Sequence, residues 1–370
     1  MSENVQGSTE KKPFSAALKE FFQRDLVSYI IKRVLLFIPT LLIISIIIFF
    51  VIQLPPGDYV TIKIRDLEAE GEDVTAEQAA QMRAEYGLDK PFIEQYLMWI
   101  GDIIWTGSNT QHYRLYGSHH NWKFSFTYNQ TVWTVISKYL PLTIAITLAT
   151  MILQYIIAIP TAVYSATHQY SIWDYIISIL TFTGSAIPGF IFALLCMYLS
   201  YVWTGNAAVG IFSDDMLQNG ITWSNFGDFL KRMAIPFIVL GFGGTCGTIR
   251  SIRAQMLDEL SEQYTLTARA KGVSERRIVW KYCFRAAVNP TVTGLGGVLS
   301  NLFSGSTITA MVLNLSILGP VLYEALKKQD MYLAGAIVMV QAVLVELGVL
   351  LADIALAYLD PRIRYSGGTR

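Results

Sequence analysis

Two adjacent histidines, His119 and His120, are the first residues in this chain whose type and spacing suggest chemistry. Imidazole pairs bind transition metals when carboxylates or thiolates complete the ligand set. No carboxylate or cysteine lies close to them in sequence, and His112 and His168 are isolated in other polar stretches. No nucleophile is paired with a base beside an apolar run, as covalent catalysis would require. The sequence therefore predicts neither a metal site nor an enzyme.

Two carboxylates, Glu346 and Asp353, interrupt an apolar run near the C-terminus. They are seven residues apart, so they lie on one face of a helix. Ionisable groups inside a bilayer usually face a bundle interior or a wet cavity. Glu346 is therefore predicted either to line a path through the protein or to contact a partner chain, and Asp353 to reach the interface or Arg362. Other candidate path residues, for which helix packing is the alternative role, are Pro188, Asn301, Ser304 and Thr307.

A polar segment from Gln263 to Ile278 separates two apolar runs. Its first nine residues, 263–271, are predicted to form a short helix that ends at Gly272, a residue suited to positive φ. Ser274 is suited to N-cap a second helix, with Glu275 in the first turn. The residues that share one face of the first helix are Tyr264, Thr267, Ala268 and Lys271. A short basic helix of this kind is suited to dock into a groove of another protein; a basic membrane-flanking loop is the alternative.

The elements that position these residues are predicted to be membrane-spanning helices. The chain is 53% hydrophobic and only 15% charged, against about 25% charged in soluble domains. Crossing the hydrocarbon takes roughly 20 apolar residues, and lipid requires such a run to be helical. The six apolar runs are Val34–Leu54, Leu140–Ser171, Tyr175–Gly210, Met233–Ile249, Ala286–Tyr323 and Met331–Tyr358. We predict an all-α integral membrane protein of about six spans, in which the fifth run is too long for one simple helix.

The placement of Lys and Arg predicts the orientation. Residues 250–285 contain eight basic and four acidic residues, whereas residues 55–139 contain seven basic and eleven acidic ones. The segment before the first span and the C-terminal tail are also basic. Both termini are therefore predicted to be cytoplasmic. The formal net charge of zero argues against a nucleic-acid partner.

The predicted organisation follows from these runs. Residues 1–28 form a cytoplasmic extension, 29–54 the first span, 55–139 an extracytoplasmic cap segment, 140–360 a five-helix core with a loop at 258–288, and 361–370 a cytoplasmic tail. Within the cap, Glu68–Arg83 and Phe92–Trp105 are predicted helices. Glycines at 241, 243, 244 and 247 are predicted to serve close helix packing, with a flexible gate as the alternative.

The segment from Tyr264 to Arg277 resembles the cytoplasmic loop of permease subunits of binding-protein-dependent ABC importers. It is most similar to the dipeptide, oligopeptide and nickel branch, whose pattern Tyr-x-x-Thr-Ala-Arg-Ala-Lys-Gly-x-Ser-Glu-Arg-Arg it matches at Tyr264, 267–272 and 274–277. Further matches are Tyr86–Pro91, Leu140–Thr143, Ala186–Phe190 and Leu359–Arg364. The resemblance extends over roughly residues 29–365. Ala310 and 316–319 depart from the family pattern, and some members of this branch are associated with oligosaccharides.

This resemblance implies a type I permease fold, an inner-membrane location in a bacterium and a channel-forming role. Residues 263–271 would be the coupling helix, and the residues expected to couple to an ATPase are Tyr264, Thr267, Ala268, Arg269, Ala270, Lys271, Gly272, Ser274 and Glu275. The implied partners are two ABC ATPase subunits, a second homologous permease, an extracytoplasmic solute-binding protein and membrane lipid. The phosphate loop GxxxxGK[ST] does not occur in the sequence, so the chain binds no cofactor and a partner would use the ATP.

Three readings of function stay open on the sequence. The leading one is an ATP-driven importer of small peptides or oligosaccharides, and a related one is an ABC system for another solute such as nickel. The third is a membrane sensor or scaffold whose outer cap binds a ligand. A membrane-embedded enzyme would need a catalytic constellation that we do not find.

Overall fold

A computed structural model describes residues 25–85, 88–104, 124–125, 127–205, 210–212, 216, 222–304 and 307–359. Most of the predicted 1–28 extension, the 361–370 tail, His112, His119 and His120 lie outside these residues. In the described part of the chain the secondary structure is helical apart from one short hairpin. The all-α membrane fold predicted from the sequence is confirmed.

The helices are numbered α1 to α16 in chain order. The first eight are α1 Asp25–Ile52, α2 Tyr59–Ala69, α3 Ala76–Glu85, α4 Phe92–Ile104, α5 Val132–Thr167, α6 Ile172–Ala186, α7 Gly189–Thr204 and α8 Phe226–Ser261. The next five are α9 Gln263–Ala270, α10 Glu275–Arg277, α11 Phe284–Ala287, α12 Asn289–Thr293 and α13 Leu295–Ser304, with a π-helix at Ile278–Cys283 between α10 and α11. The last three are α14 Thr307–Val312, α15 Leu318–Lys327 and α16 Met331–Leu359. Strands β1 Phe124–Ser125 and β2 Gln130–Thr131 pair antiparallel.

Four helices in the described residues, α1, α5, α8 and α16, are long and apolar enough to cross a membrane. The pair α6 and α7 makes a fifth span if it is counted as one, although the two helices meet at an angle of 109°. Ile187 between them is extended, with ψ 122°, because Pro188 disfavours the helical conformation of the residue before it. The third predicted run is therefore a broken element.

The fifth predicted run, Ala286–Tyr323, is divided among short helices from α11 to α15. Pro290 lies in the first turn of α12, where a missing N–H is tolerated. Near the other end of the run, Asn314 has a φ of +50° between α14 and α15. The predicted cap helix Glu68–Arg83 is also divided, because α2 ends at Ala69 and Gly71 has a φ of +91° before α3 begins.

The bundle has two ends. We call the end that carries the turn at Gly272 the coupling end, and the end that carries the β1–β2 hairpin the cap end. At the coupling end, Arg33 near the start of α1 contacts Asp353 near the end of α16, with Nε to Oδ2 at 3.2 Å. Arg33 is thus the described partner of Asp353, whereas Arg362 lies outside the described residues. At the cap end, Trp99 of α4 packs on Phe49 of α1 at a ring separation of 5.3 Å and contacts the site of Gly335 in α16.

Asp330 joins the hairpin to the start of α16 at the cap end. Its carboxylate is fully buried and accepts hydrogen bonds from Ser125 Oγ at 2.6 Å, Thr127 N at 3.0 Å and Leu333 N at 3.2 Å. A carboxylate at a helix N-terminus satisfies amide groups that have no partner within the helix. Asp330 therefore fixes where the last span begins.

Replacing Asp330 by alanine is expected to lower the free energy of unfolding by about 2–4 kcal/mol, because three donors would lose their shared acceptor. Asp228→Ala is the matched control, since Asp228 is exposed and pairs only with Arg232 one turn away. Melting temperatures of the two purified variants in detergent would test this. Equal melting temperatures would contradict the proposed role of Asp330.

Candidate coupling segment and central cleft

The coupling segment, residues Gln263–Arg277, lies between the long helix α8 and the π-helix. Its first helix is α9, which ends at Ala270 rather than at Lys271, because Lys271 is the C-cap. Gly272 has a φ of +75°, as predicted. The amide of Gly272 donates to the Arg269 carbonyl at 3.0 Å, and that of Val273 donates to the Ala268 carbonyl at 3.1 Å. These two bonds form a Schellman motif, which closes the helix and turns the chain.

The second half of the turn is held by an ion pair. Arg269 Nε lies 2.7 Å from Glu275 Oε1, and Nη2 lies 3.3 Å from Oε2. The Arg269 guanidinium holds the pKa of the Glu275 carboxyl below its usual value. Ser274 has the extended backbone of an N-cap, but its hydroxyl makes no capping bond to α10. The predicted helix–glycine–helix order is present, and the ion pair rather than the serine cap joins its halves.

The buried face of α9 differs from the predicted docking face. Thr265 and Ala268 are both buried, because residues three apart lie on one side of a helix. Ala268 belongs to a buried cluster with Ile252 and Met256 of α8 and residues of the π-helix. Thr265 Oγ1 donates to the Glu259 carbonyl at 3.0 Å. The grouping of Ala268 with Tyr264, Thr267 and Lys271 on one docking face is therefore wrong. The exposed residues of the segment are Gln263, Tyr264, Leu266, Thr267, Arg269, Ala270, Lys271, Gly272, Ser274, Glu275, Arg276 and Arg277.

The coupling segment follows α8, which an ion pair and hydrogen bonds join to α5 and α6. Arg253 of α8 donates from Nε and Nη2 to the two oxygens of Asp174 in α6, both at 2.9 Å. Asp174 is almost fully buried, and Ser165 of α5 donates to it as well. Two-point arginine–carboxylate contacts fix geometry as well as charge. Three helices are thereby joined beside the segment.

The central cleft is an open space of about 520 Å³ between α5, α7, α8, α13 and α14. Among the described residues, its walls contain no charged side chain. Gln154 of α5 donates from Nε2 to Thr248 Oγ1 of α8 at 2.8 Å, which places a bonded amide in the wall. Phe192 and Phe242 stack against each other in the same wall at a ring separation of 4.2 Å. The cleft therefore offers neutral polar groups and aromatic faces.

The candidate path residues are distributed unevenly around this cleft. Asn301 lines it, and Pro188 lies between two lining residues, Ile187 and Gly189. Thr307 packs close to Gly319 instead, while Thr309 of the same short helix lines the cleft. Glu346 is half-buried on α16, away from the cleft walls formed by the described residues. The Ser304 side chain lies outside the description.

Four glycines in the middle of α8, at positions 241, 243, 244 and 247, divide into two pairs. A Cβ on Gly241 would lie 3.3 Å from Thr150, and one on Gly244 would lie 2.6 Å from Gln154 Oε1. These two glycines let α5 and α8 approach closely, as predicted. A Cβ on Gly243 or Gly247 would meet nothing within 4 Å, and both residues line the central cleft. Packing and open space therefore alternate along one helix.

Several site residues carried no signal in the sequence that we used. Leu266 is 56% exposed on α9, and an apolar residue on an otherwise polar short helix could have marked it. Gln154 and Thr248 are single polar residues in apolar helices, and only their contact across α5 and α8 identifies them. His168 stacks on Tyr164 at 4.4 Å and belongs to no metal-binding group among the described residues.

Substitutions at Gly243 and Gly244 are expected to change stability in opposite directions. Gly243→Ala should stabilise α8 by up to about 1 kcal/mol, because alanine favours a helix over glycine and meets no neighbour. Gly244→Ala should destabilise the protein, because Gln154 must move and its bond to Thr248 would break. The melting temperatures of the two variants in detergent measure the difference. A lower melting temperature for Gly243→Ala than for Gly244→Ala would contradict this assignment.

Comparison with protein families supports the resemblance noted in the sequence. The family model described as "Binding-protein-dependent transport system inner membrane component" matches residues 158–365. The corresponding N-terminal model of the transport system membrane component matches residues 26–147. The two matches together include α1, the cap segment, the coupling segment and most of the described core.

Individual relatives match over nearly the whole chain. The oligopeptide transport system permease protein AppB of Bacillus subtilis is 32% identical over 340 residues, which covers 92% of this chain and 100% of the relative. The dipeptide transport system permease protein DppB of Escherichia coli K12 is 30% identical over 356 residues, with coverage of 92% and 99%. The chain therefore belongs to the family of inner-membrane permease components of binding-protein-dependent ABC transport systems, in the branch that includes peptide permeases.

Proposed function

We propose that this chain is the channel-forming subunit of an ATP-driven importer of small peptides, and that α9 is its coupling helix. The observation that carries the proposal is the geometry of α9. One side of this short helix is buried in the bundle through Thr265 and Ala268, while Leu266, Thr267 and Lys271 are exposed on the other side. A rigidly mounted helix with an exposed apolar residue is suited to dock into a groove of a partner.

The proposed partners are two ABC ATPases at the coupling end, a second permease, and a solute-binding protein at the cap end. ATP hydrolysis would belong to the ATPases, because the sequence has no phosphate loop. The basic coupling segment would then face the cytoplasm, in agreement with the positive-inside rule. Since the start of α1 and the end of α16 meet at Arg33 and Asp353, both termini would lie on that same side.

The cargo proposed is a small peptide, because relatives that match the chain over 92% of its length are named as oligopeptide and dipeptide permeases. The uncharged central cleft is consistent with peptides of varied side chains, since it has no fixed charge that would favour one side-chain charge over another. Oligosaccharides are the second candidate, and the stacked Phe192 and Phe242 in the cleft wall favour it, because sugar rings pack on aromatic faces. Nickel and a sensor role have no supporting contact among the described residues.

In the proposed mechanism, closure of the ATPases displaces α9, and the buried contacts carry the displacement to α8. The Schellman turn at Gly272 and the Arg269–Glu275 pair would keep the segment rigid while it moves. The Arg253–Asp174 contact would carry the motion onward to α6, and the Gln154–Thr248 bond would carry it to α5. Helices that line the central cleft would therefore move with the coupling segment.

Replacing Gly272 by leucine is expected to reduce ATP-dependent peptide uptake by at least about tenfold. A left-handed backbone disfavours leucine by about 1–2 kcal/mol, so the turn would open and the coupling helix would lose its fixed position. Gly205→Leu is the matched control, because Gly205 also caps a helix, has a φ of +73° and has nothing within 4 Å of its Cβ position. Uptake into vesicles that contain the complete transporter measures the effect. Equal uptake by the two variants would contradict the coupling role.

The proposed ATPase contact can be tested by crosslinking. A cysteine at Leu266 or Thr267 is expected to crosslink to an ATPase subunit with a short reagent that carries a maleimide and a photoreactive benzophenone, because these residues are exposed on α9. Ala268→Cys is the matched control, since Ala268 is buried within this chain. The unsubstituted protein, whose Cys246 and Cys283 are buried, controls for reaction at native cysteines. Capture of the ATPase through position 268 but not through 266 or 267 would contradict the proposed orientation of the helix.

A further inference from the structure

A second cleft of about 500 Å³ continues the central cleft toward the coupling end. It lies between α6 and α8, and Gly247 lines both clefts. We call it the arginine cleft, because the charged residues that line it are Arg250 and Arg253. Its other walls are formed by apolar residues such as Ile177 and Phe182 and by small hydroxyl side chains. A solute that passes along α8 from the central cleft would next meet this space.

The two arginines have different surroundings. Arg253 is held by both oxygens of Asp174. Arg250 lies over the ring of Phe182, with its guanidinium carbon 5.1 Å from the ring centroid. Among the described residues, no hydrogen-bond acceptor or carboxylate pairs with Arg250. A guanidinium has five N–H donors, which point outward in the plane of the group. The face of the Phe182 ring attracts the positive charge but accepts no hydrogen bond from these donors.

The position of Arg250 makes an anionic ligand favourable. It follows directly after the uncharged run Met233–Ile249, so it is the first cation that a solute meets along α8 after leaving the uncharged walls of the central cleft. Arg250 is exposed to this open space, so its guanidinium is accessible to a ligand of opposite charge. Arginine binds carboxylates with two parallel hydrogen bonds when its fork is available.

We propose that Arg250 binds the terminal carboxylate of a peptide as the peptide leaves the central cleft. This inference rests on the proposed function, and it adds a requirement on the cargo. A peptide carries a carboxylate at its C-terminus whatever its side chains are, whereas a neutral oligosaccharide carries none. The arginine cleft would thus select for a terminal carboxylate, which all unmodified peptides share. The central cleft before it would not distinguish solutes by their charge.

Uptake of trialanine and of its C-terminal amide tests the proposal. Vesicles would contain the permease, its partner permease, both ATPases and the loaded binding protein. Arg250→Gln is expected to reduce trialanine uptake by about tenfold, the effect of losing one charge-assisted contact, and to change uptake of the amide by less than about twofold. Arg250→Lys should retain most of the trialanine uptake. Arg232→Gln is the matched control, because Arg232 is a half-buried arginine near the other end of the same helix, where it pairs with Asp228.

Three outcomes would overturn the inference. An equal loss of uptake for both peptides in Arg250→Gln would indicate that Arg250 only stabilises the structure or a contact with a partner. An effect of Arg250→Gln that appears only in vesicles containing phosphatidylglycerol would indicate a lipid phosphate as the ligand. Absence of ATP-dependent uptake of either peptide by the unsubstituted protein would overturn the proposed function itself, and the inference with it.

A labelling measurement gives a second test that does not use the amide. A tripeptide with benzoyl-phenylalanine at its C-terminus should, on illumination during uptake, label residues 177–182 or 247–254, which line the arginine cleft. Arg250→Gln should reduce this labelling about tenfold, while Arg232→Gln should not. Import of the labelled peptide without any label in these two segments would overturn the inference and leave the proposed function intact.

Discussion

Hydrocarbon contains no water to satisfy a bare peptide group, and this constraint determines where the chain can be regular and where it can break. In the four long helices α1, α5, α8 and α16, backbone N–H and C=O groups form hydrogen bonds within each helix. Breaks occur where protein or a cavity surrounds the chain. The Ile187–Pro188 break lies in the wall of the central cleft, and the π-helix is buried against α8 and α9 through Ile278, Val279 and Cys283. These two breaks in regular helix therefore lie where protein or a cavity, rather than lipid, surrounds the backbone.

Close helix approach and open space come from the same residue type on α8. A Cβ on Gly241 or Gly244 would meet α5, whereas one on Gly243 or Gly247 would meet open space. Gly243, Gly244 and Gly247 all line the central cleft. Since neighbouring glycines point about 100° apart on a helix, one helix can seal against α5 and open a path on its next face. The hydrogen bond from Gln154 to Thr248 joins α5 to α8 on the side where the two helices pack together. The α5–α8 contact is therefore tight where the bundle must be stable and absent where a solute could pass.

The coupling segment joins this arrangement through small and buried residues rather than through its charges. Ala268 packs in a cluster with Ile252 and Met256, and Thr265 bonds the Glu259 carbonyl near the end of α8, so substitutions that enlarge either residue would separate α9 from α8. The charged groups Arg269 and Glu275 act across the glycine turn, where exposed pairs contribute little to stability but limit the conformations of the loop. Arg253 and Asp174 are different, because Asp174 is almost fully buried and an unpaired charge there would be costly. That contact ties α6 to α8 at the coupling end.

The all-helical membrane class and the positive φ at Gly272 could be predicted from the sequence, because they depend on composition and on local backbone preference. The family could be predicted as well, from the motif between Tyr264 and Arg277. The division of the predicted helix Glu68–Arg83 could not be predicted with the periodicity we used, since the stretch lacks proline and only the turn at Gly71 separates α2 from α3. For the fifth apolar run the sequence predicts only that it is too long for one simple helix. Its division into the short helices α11 to α15, several of which contact α16 or α7, is seen only in the structure.

The sequence by itself determined which segments must be helices in a membrane, which end of the bundle carries the basic residues, and that Gly272 ends a helix. Hydropathy, charge and φ preference are properties of single residues and their neighbours, so they can be read in one dimension. Only the tertiary structure decided that Ala268 faces the bundle, that Asn301 but not Thr307 borders the central cleft, and that Arg250, unlike Arg253, has no carboxylate partner among the described residues. Those facts depend on distances between helices far apart in the chain, which no local pattern contains.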